Sequence, residues 1–371
     1  MKKYMLLFTA VFTAILSLYG CGNSGKEDYE AGVAAMKSGN YESASKSFEA
    51  AILKQDDQAE YFISYGMTQV QLHQYEEAVS NFQKALACSD SAENEKRSWR
   101  GLGVALYYNK EFDKAEEALN RAISYSELAD LNLECYLYLG ALNDATGDVE
   151  QAYEAYERVL EIEPDQLSAI VGKYRTAVDL KKDEEAKEIL QEGLNLTPET
   201  AEERYMFAKL QFYDGNYEGA EEELMEAAES YNEAFNLLGQ IQVSRNNYDE
   251  AISYFETYLD KSGDSGNLTV CSTIGRCYLE KRQYKKALEW IEQCVQMDAD
   301  DIELQAVRYN QIIAYEKLKK YKEAYKLAKE YSKVYPEDER FEMEKKYLKE
   351  QISGKKEIVK PSSEPSPTPL A

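Results

Sequence analysis

Few side chains in this sequence could do acid-base, nucleophilic or metal chemistry. The only histidine among the 371 residues is His73, so any histidine-based catalysis would depend on that one ring. A zinc site would need paired cysteine and histidine spacing, which is missing, and the acidic stretch from Asp260 lacks the ligand spacing of a calcium loop. The glycines of GLGVAL at Gly101 follow no strand, as a nucleotide-binding turn would require. The sequence therefore predicts no metal and no cofactor.

Carboxylates are the one reactive class present in number, with 68 Asp and Glu in the chain. Paired carboxylates could in principle serve as the acid and base of an enzyme. Most of these residues, however, stand beside lysines on the exposed faces of expected helices, which is a solubilising pattern. We therefore expect a protein that is not an enzyme.

The six cysteines divide into one near the N-terminus, Cys21, and five within the body of the chain. These five fall at apolar positions of the expected helices, where a thiol acts as a small filler. Cys277 and Cys294 could form a disulfide outside the cytoplasm, but no disulfide framework is indicated. The five are Cys88, Cys135, Cys271, Cys277 and Cys294.

The first 21 residues have the order of an export signal. Lys2 and Lys3 precede an apolar run over residues 4–19, which at about 1.5 Å per residue is too short to cross a hydrocarbon core of about 30 Å. Leu18-Tyr19-Gly20-Cys21 resembles the lipobox of bacterial lipoproteins, although Tyr19 departs from the small residue usual there. The resemblance implies a signal peptide over residues 1–20 and lipidation of Cys21, with a tether over 21–28. The alternative is a free cysteine beside an uncleaved anchor.

The charge is large, negative and uneven. The net charge of −25 argues against nucleic acid as a partner, because affinity for a phosphate backbone comes from clustered Lys and Arg. The excess of basic residues is confined to residues 281–360, where Lys317 to Lys333 alone includes seven lysines against two glutamates. Such a run can be a solvated helix face or a contact with anionic headgroups, wall polymer or an acidic partner. The candidate contacts are Lys319, Lys320, Lys322 and Lys326.

One sequence pattern recurs along almost the whole chain. It consists of an aromatic residue, an alanine three positions later, a large apolar residue four positions after the alanine and a second small residue three positions after that. YEEAVSNFQKA and YEGAEEELMEA are examples, and in six of nine copies a glycine stands twelve residues before the alanine. Apolar residues recur at helical spacing on both sides of a short turn, so each copy predicts a helical hairpin. The alanines are Ala44, Ala78, Ala115, Ala152, Ala186, Ala220, Ala251, Ala287 and Ala324.

A period near 34 with these residues resembles the tetratricopeptide repeat. The resemblance implies an all-α, right-handed superhelix of about nine hairpins over residues 25–336. Hairpins five and nine depart from the pattern, with Tyr174 and Ile312 at the glycine position. Residues 337–352 are expected to form a helix that caps the open end of the stack. Residues 353–371 are rich in Pro and Ser and are expected to be disordered.

In this family the first helices line a concave groove, facing it with the second, fifth, ninth, twelfth and thirteenth residues of each repeat. The register places aromatic and basic residues there, the types enriched at binding hot spots. Basic residues in the groove of an acidic protein favour a peptide or protein segment with acidic groups. The implied groove residues are Arg100, Tyr107, Tyr108, Arg175, Tyr205, Lys209, Phe212, Tyr213 and Arg276.

These features together predict a non-catalytic scaffold that binds protein or peptide partners at the cell envelope. It would be exported and held by its lipid on the outer face of the bacterial cell membrane or on the outer membrane. The alternative is a lipoprotein that binds a glycan or small peptide for envelope maintenance or uptake, which would need a closed pocket rather than an open groove.

Overall fold

The computed structural model describes residues 24–126, 128–263, 266–338 and 340–354, and within them the chain is helical. The helices are α1 Ser24–Lys37, α2 Tyr41–Lys54, α3 Ala59–Gln71, α4 Tyr75–Ala87, α5 Ala92–Tyr108, α6 Phe112–Ile123, α7 Leu131–Thr146, α8 Val149–Ile162, α9 Leu167–Asp179, α10 Asp183–Leu194, α11 Ala201–Tyr213, α12 Tyr217–Ala227, α13 Glu233–Ser244, α14 Tyr248–Ser262, α15 Leu268–Glu280, α16 Tyr284–Val295, α17 Gln305–Lys317, α18 Tyr321–Val334 and α19 Arg340–Ser353. The first eighteen pair as nine hairpins, which confirms the predicted all-α class.

The turn of each hairpin has the same backbone conformation. Two residues before every second helix, the backbone adopts a positive φ, which breaks the first helix and reverses the chain. Glycine supplies this conformation in three turns, and longer side chains accept it in the other six. His73, the only histidine, is one of them, with φ 58°. The nine turn residues are Gly39, His73, Lys110, Gly147, Lys181, Gly215, Asn246, Arg282 and Lys319.

The nine repeated alanines are all buried between helices. Ala186 is 3% exposed and the other eight are fully buried, so the predicted close approach of first and second helices at these positions is confirmed. An alanine here lets two helix backbones come together where a larger side chain would hold them apart.

Large second-helix side chains enter holes left by glycines in two successive first helices. The fully buried Phe82 of α4 lies against Gly66 of α3, where an added Cβ would be 2.9 Å from the ring, and against Gly101 of α5, where it would be 2.2 Å away. Tyr156 of α8 lies in the same way between Gly140 and Gly172, at 2.6 and 2.4 Å. These two rings therefore join hairpin two to hairpin three and hairpin four to hairpin five.

In hairpin nine the large residue is on the first helix and the small residue on the second, the reverse of the order in the glycine-containing hairpins. Ile312 stands at the glycine position of α17 and Ala328 at the large position of α18, and both are buried, 1% and 0% exposed, in one apolar cluster. The large and small partners have exchanged places, so the pair keeps about the same total volume. This exchange explains how the most divergent hairpin retains the packing of the others.

The last described helix, α19, covers the end of hairpin nine. Phe341 stacks on Tyr331 with ring centroids 4.0 Å apart and meets Tyr309 edge-on at 5.2 Å. Phe341 and Leu348 are almost completely buried by these contacts. The helix overlaps the segment expected to cap the stack, and it begins three residues later than expected.

The chain divides into two compact units, Met1–Gly193 and Leu194–Ala371. Within each unit first helices of successive hairpins touch, for example α5 with α7 and α11 with α13, whereas no two second helices of the described residues make a comparable contact. A row of hairpins that packs more closely on one side curves toward that side. The first helices therefore line the concave side within each unit, here named the inner face. None of the described helices has both the length and the apolar composition that a membrane span requires.

Candidate functional site

In the first unit, Arg100 ties three first helices together. Its guanidinium forms an ion pair with Glu134 of α7, and Nη2 also lies 3.6 Å from the sulfur of Met67 on α3. The Arg100 side chain is only 13% exposed, so this charge is largely shielded from solvent. The position is the one that the sequence predicts, but the side chain already has a carboxylate partner.

Arg175 is also paired, through the same central helix. Its Nη1 lies 3.1 Å from Oδ2 of Asp144, so α7 supplies a carboxylate to the arginine on each side of it. The inner face of the first unit therefore offers little net positive charge from Arg100 and Arg175. The electrostatic reason for expecting an acidic ligand is lost here.

Arg276 of α15 differs from both of these arginines. It is half-buried at the ninth register position of its hairpin, and in the described part of the chain no ion pair is formed by it. On the neighbouring first helix, Gln240 has the same register position and donates to Asn236 at 3.3 Å. Gln240 is 7% exposed, and its Oε1 has no hydrogen-bond partner among the described residues. The sequence did not single out these carboxamides, although their register positions would have identified them.

Aromatic side chains cover the inner face of α11. Lys209 Nζ lies 5.6 Å from the centre of the Tyr205 ring, a cation-π distance, and Tyr205 itself contacts Tyr231 at 5.1 Å. Phe212 meets Tyr213 at 6.0 Å and Tyr217 at 5.3 Å. Burial raises the pKa of the Tyr205 phenol, so the ring remains neutral at physiological pH.

Four tyrosines from three hairpins form a second aromatic group, here named the tyrosine ledge: Tyr75, Tyr107, Tyr108 and Tyr138. Tyr75 and Tyr108 stack with centroids 5.3 Å apart and planes 13° from parallel, while Tyr108 and Tyr138 meet at 77°. Tyr107 and Tyr108 were expected in the groove from the sequence. Tyr75 was missed because the aromatic residue that opens a second helix was assigned only to the repeat signature. Tyr138 was missed because it occupies the sixth position of its repeat, which is not among the groove positions of the family.

The four lysines proposed to contact an anionic surface are all exposed. Lys319 is the turn residue of hairpin nine, Lys320 follows it, and Lys322 and Lys326 lie one turn apart on α18. Lys320 Nζ lies 5.4 Å from the Tyr315 ring centre. Lys322 and Lys326 belong to the second helix of the hairpin, not to the first helix that lines the inner face.

The cysteines of the described residues are free thiols. Cys277 and Cys294, the pair that could have formed a disulfide, are both reduced, and the Cys294 thiol instead hydrogen-bonds with Cys271. Four of the five are buried as expected, but Cys88 is partly exposed because it caps the end of α4. Cys21 lies outside the described residues. Within those residues, no cluster of three or more His, Cys, Asp or Glu side chains could hold a metal ion.

Comparison with family models finds tetratricopeptide repeats over most of this helical array. Three models with that description match residues 57–127, residues 100–166 with 205–266, and residues 145–206 with 242–310. Together the matches run without a gap from residue 57 to residue 310, which is more than half of the chain.

Individual proteins resemble the chain less specifically. Human cilia- and flagella-associated protein 70 is 29% identical over 128 residues, which are 34% of this chain and 11% of that protein, so the chain spans about a tenth of this curated relative. The crystal structure of the APC/C hetero-tetramer Cut9-Hcn1 covers 94% of this chain and 76% of its own, with 14% identity and a TM-score of 0.55. A crystal structure of MamA covers 47% of this chain and 91% of its own, with 22% identity and a TM-score of 0.41.

Proposed function

The chain belongs to the tetratricopeptide repeat family, and from this we propose that it is a non-catalytic adaptor that holds an extended segment of a partner protein on its inner face. The observation that carries the proposal is the repeated register. Because equivalent first-helix positions recur from hairpin to hairpin, they present half-exposed aromatic and polar side chains in rows on one concave side of each unit. An extended segment can contact several such positions at once, as a small ligand cannot.

We place the acidic-ligand contact in the second unit. Arg276 has no ion pair among the described residues, and its guanidinium can donate two parallel hydrogen bonds to a carboxylate. Asn236 on the adjacent first helix has a half-exposed carboxamide, which can bond to the backbone of an extended segment, and the buried Gln240 holds it in place by donating to its Oδ1 at 3.3 Å. The proposed ligand is therefore a peptide segment with an acidic side chain that reaches α15.

The substitution Arg276→Glu tests this assignment without breaking an ion pair of the described residues. We expect it to weaken capture of the partner at least about tenfold, because it replaces attraction of an acidic group by repulsion. Lys285→Glu is the matched control: it makes the same charge change in the same hairpin, on the exposed side of α16. Partner affinity measured by titration should fall only for Arg276→Glu. Equal affinities for the two variants would refute the acidic contact.

Charge reversal is a poorer test at Arg100 and Arg175, because both arginines already form ion pairs within the protein. Arg100→Glu and Arg175→Glu would each place a carboxylate against an acidic residue of α7 and so disturb the packing of first helices. Conservative replacement by Lys at those positions retains the charge and the pairing. If Arg100→Glu or Arg175→Glu lost partner binding, the loss could come from disturbed helix packing as well as from a lost contact with the partner.

We further propose that the adaptor works at the bacterial cell envelope, held by a lipid on Cys21. The support is the order of the N-terminal residues: two lysines, a short apolar run and a lipobox-like Leu18-Tyr19-Gly20-Cys21. The distance along the chain from Cys21 to Ser24, where α1 begins, is three residues. At no more than about 3.6 Å per residue, such a tether would keep the first hairpin close to the bilayer. The lysines of α18 would add an electrostatic contact with anionic headgroups.

A further inference from the structure

Two buried thiols of hairpin eight lie in contact with each other. Cys271 of α15 and Cys294 of α16 are both fully buried, and they belong to one apolar cluster. The Cys294 thiol forms a hydrogen bond with Cys271, so the two sulfurs face each other across the hairpin. Both thiols are free in this structure, which therefore shows the reduced form of the pair.

The repeat register explains why these two side chains meet. Cys271 stands sixteen residues before the repeated Ala287, and Cys294 stands seven residues after it. In three other hairpins a large residue and an alanine occupy the same two positions: Phe62 with Ala85, Trp99 with Ala122 and Arg204 with Ala227. Hairpin eight instead has two side chains of equal size, and of the nine hairpins it alone has a thiol at both positions.

The two helices that carry these thiols approach each other closely. Gly275, one turn after Cys271, lies so near α16 that an added Cβ would be 2.9 Å from Ile291 and 3.7 Å from the carbonyl oxygen of Ala287. A disulfide forms without distortion only where two backbones are close and the two cysteine side chains point toward each other. The contact between Cys271 and Cys294 within this close helix pair meets both conditions.

We propose that Cys271 and Cys294 form a disulfide when the chain meets an oxidising thiol-disulfide environment, and that the bond locks α15 against α16. This pairing differs from the Cys277 to Cys294 disulfide that the sequence left open. The inference goes beyond the proposed adaptor function and does not depend on it, because the reaction involves only the two side chains and an oxidant.

The oxidant is a low-molecular-weight disulfide such as oxidised glutathione, and the reaction is thiol-disulfide exchange. One cysteine thiolate attacks a sulfur of the reagent, which forms a mixed disulfide and releases one reagent thiolate. The second cysteine thiolate attacks the protein sulfur of the mixed disulfide, forms the protein disulfide and releases the second reagent thiolate. The two protons lost by the cysteines pass to the released thiolates, so the cysteine pair loses two electrons and the reagent gains them.

Burial determines when this exchange can occur. The hydrogen bond with Cys271, together with burial, raises the pKa of the Cys294 thiol, so little thiolate forms while hairpin eight is closed. The reagent also has no access to a fully buried sulfur. The disulfide should therefore form while the hairpin is folding, and much more slowly once the chain is folded. The same burial should then protect the finished bond from reductants.

The cross-link would restrain a helix of the inner face. Arg276 lies five residues after Cys271 on α15, so the bond would hold in place the helix that carries the proposed acidic contact. The bond closes a loop of 22 intervening residues, which removes many conformations from the open hairpin. Opening of α15 and α16 should therefore become roughly 10- to 100-fold rarer.

The test refolds the full chain from urea into a mixture of oxidised and reduced glutathione, blocks the remaining thiols with N-ethylmaleimide and maps tryptic peptides without reduction. Trypsin cuts after Arg276, so the three cysteines of this hairpin fall in separate peptides, residues 262–276, 277–281 and 287–308. We expect the first peptide to be joined to the third. Cys277→Ala is the matched control in the same helix and should keep this linked pair, whereas Cys271→Ala should lose it.

Far-ultraviolet circular dichroism after refolding shows whether each variant is folded, and the peptide map of the unaltered chain tests the pairing without any variant. Hydrogen exchange in the oxidised chain should be roughly 10- to 100-fold slower than in the reduced chain for α15 and α16, and unchanged for α11 and α12. A fully blocked Cys294, a link from Cys294 to Cys277 or an unresolved mixed disulfide with glutathione would overturn the pairing. Equal exchange in the oxidised and reduced chains would overturn the lock.

Discussion

Phe82→Ala is expected to lower the local free energy of unfolding of hairpins two and three by about 3–5 kcal/mol. The ring is fully buried and fills a hole between Gly66 and Gly101, which are on first helices of different hairpins. Because an array of repeats is stabilised by contacts between neighbours, the loss should appear on both sides of the removed ring. Native-state hydrogen exchange of α3 to α6 measures it directly, since it reports opening free energies segment by segment.

Leu53→Ala is the matched control for this change. Leu53 is 82% exposed on the preceding hairpin, so its truncation should alter exchange by no more than about 0.5 kcal/mol. A similar effect of the two substitutions would contradict the role given to Phe82 as the join between hairpins.

A double-mutant cycle separates this packing from general core disruption. An alanine at position 101 would place its Cβ 2.2 Å from the Phe82 ring, so Gly101→Ala should destabilise even though alanine favours helices by about 1 kcal/mol over glycine. In the Phe82→Leu background, the added methyl should instead fill part of the vacated hole. The double variant should therefore be more stable than the sum of the single effects by about 0.5–3 kcal/mol. Strict additivity would show that Phe82 and Gly101 do not share one packing site.

Cys21→Ser is expected to abolish lipid labelling of the chain and to remove most of it from the membrane fraction. Two or three acyl chains hold a protein stably at a bilayer, since each buried CH₂ contributes about 0.8 kcal/mol, whereas electrostatic contacts alone are weak and salt-dependent. Growth with an alkyne-tagged palmitate, followed by fractionation, measures both effects. The matched control is Cys88→Ser, which removes the partly exposed thiol of the described residues and should leave labelling intact.

Any Cys21→Ser protein that remains with membranes would test the four lysines at the start of α18 and in the turn before it. That fraction should fall as salt is raised and should disappear when Lys319, Lys320, Lys322 and Lys326 are changed to Glu. Retained labelling in Cys21→Ser would contradict the lipid-anchor proposal, and retention that is insensitive to salt and to the lysines would contradict the electrostatic contact.

The sequence was sufficient for the hairpins because their signals are local and repeated nine times. In seven of the nine hairpins an aromatic residue stands three positions before the buried alanine, just after a short turn, and it marks the start of the second helix. All nine alanines are at most 3% exposed. The exchange at Ile312 and Ala328 looked like a departure in the one-letter code, yet it preserves the summed volume of the pair. Volume across a helix pair, rather than residue type at one position, is the quantity that the packing conserves.

The electrostatics of the inner face could not be predicted in the same way. Whether an arginine faces a ligand or a neighbouring carboxylate depends on side chains about 30 positions apart in the chain, as in Arg100 with Glu134 and Arg175 with Asp144. The register correctly identifies where these side chains emerge, but it carries no information on how they pair. The same applies to the tyrosine ledge, because its rings meet only after hairpins two, three and four have stacked.

The most direct test of the adaptor proposal is site-specific photo-crosslinking in cells from the two sides of the array. Probes at Val178 on α9, which is 46% exposed, and at Ser244 on α13 sample the inner face, and probes at Leu53 on α2 and Met225 on α12 sample exposed second-helix positions. The proposal predicts that the inner-face probes capture the same partner protein and that the second-helix probes do not. Capture of that partner from Leu53 and Met225, with none from Val178 or Ser244, would contradict it.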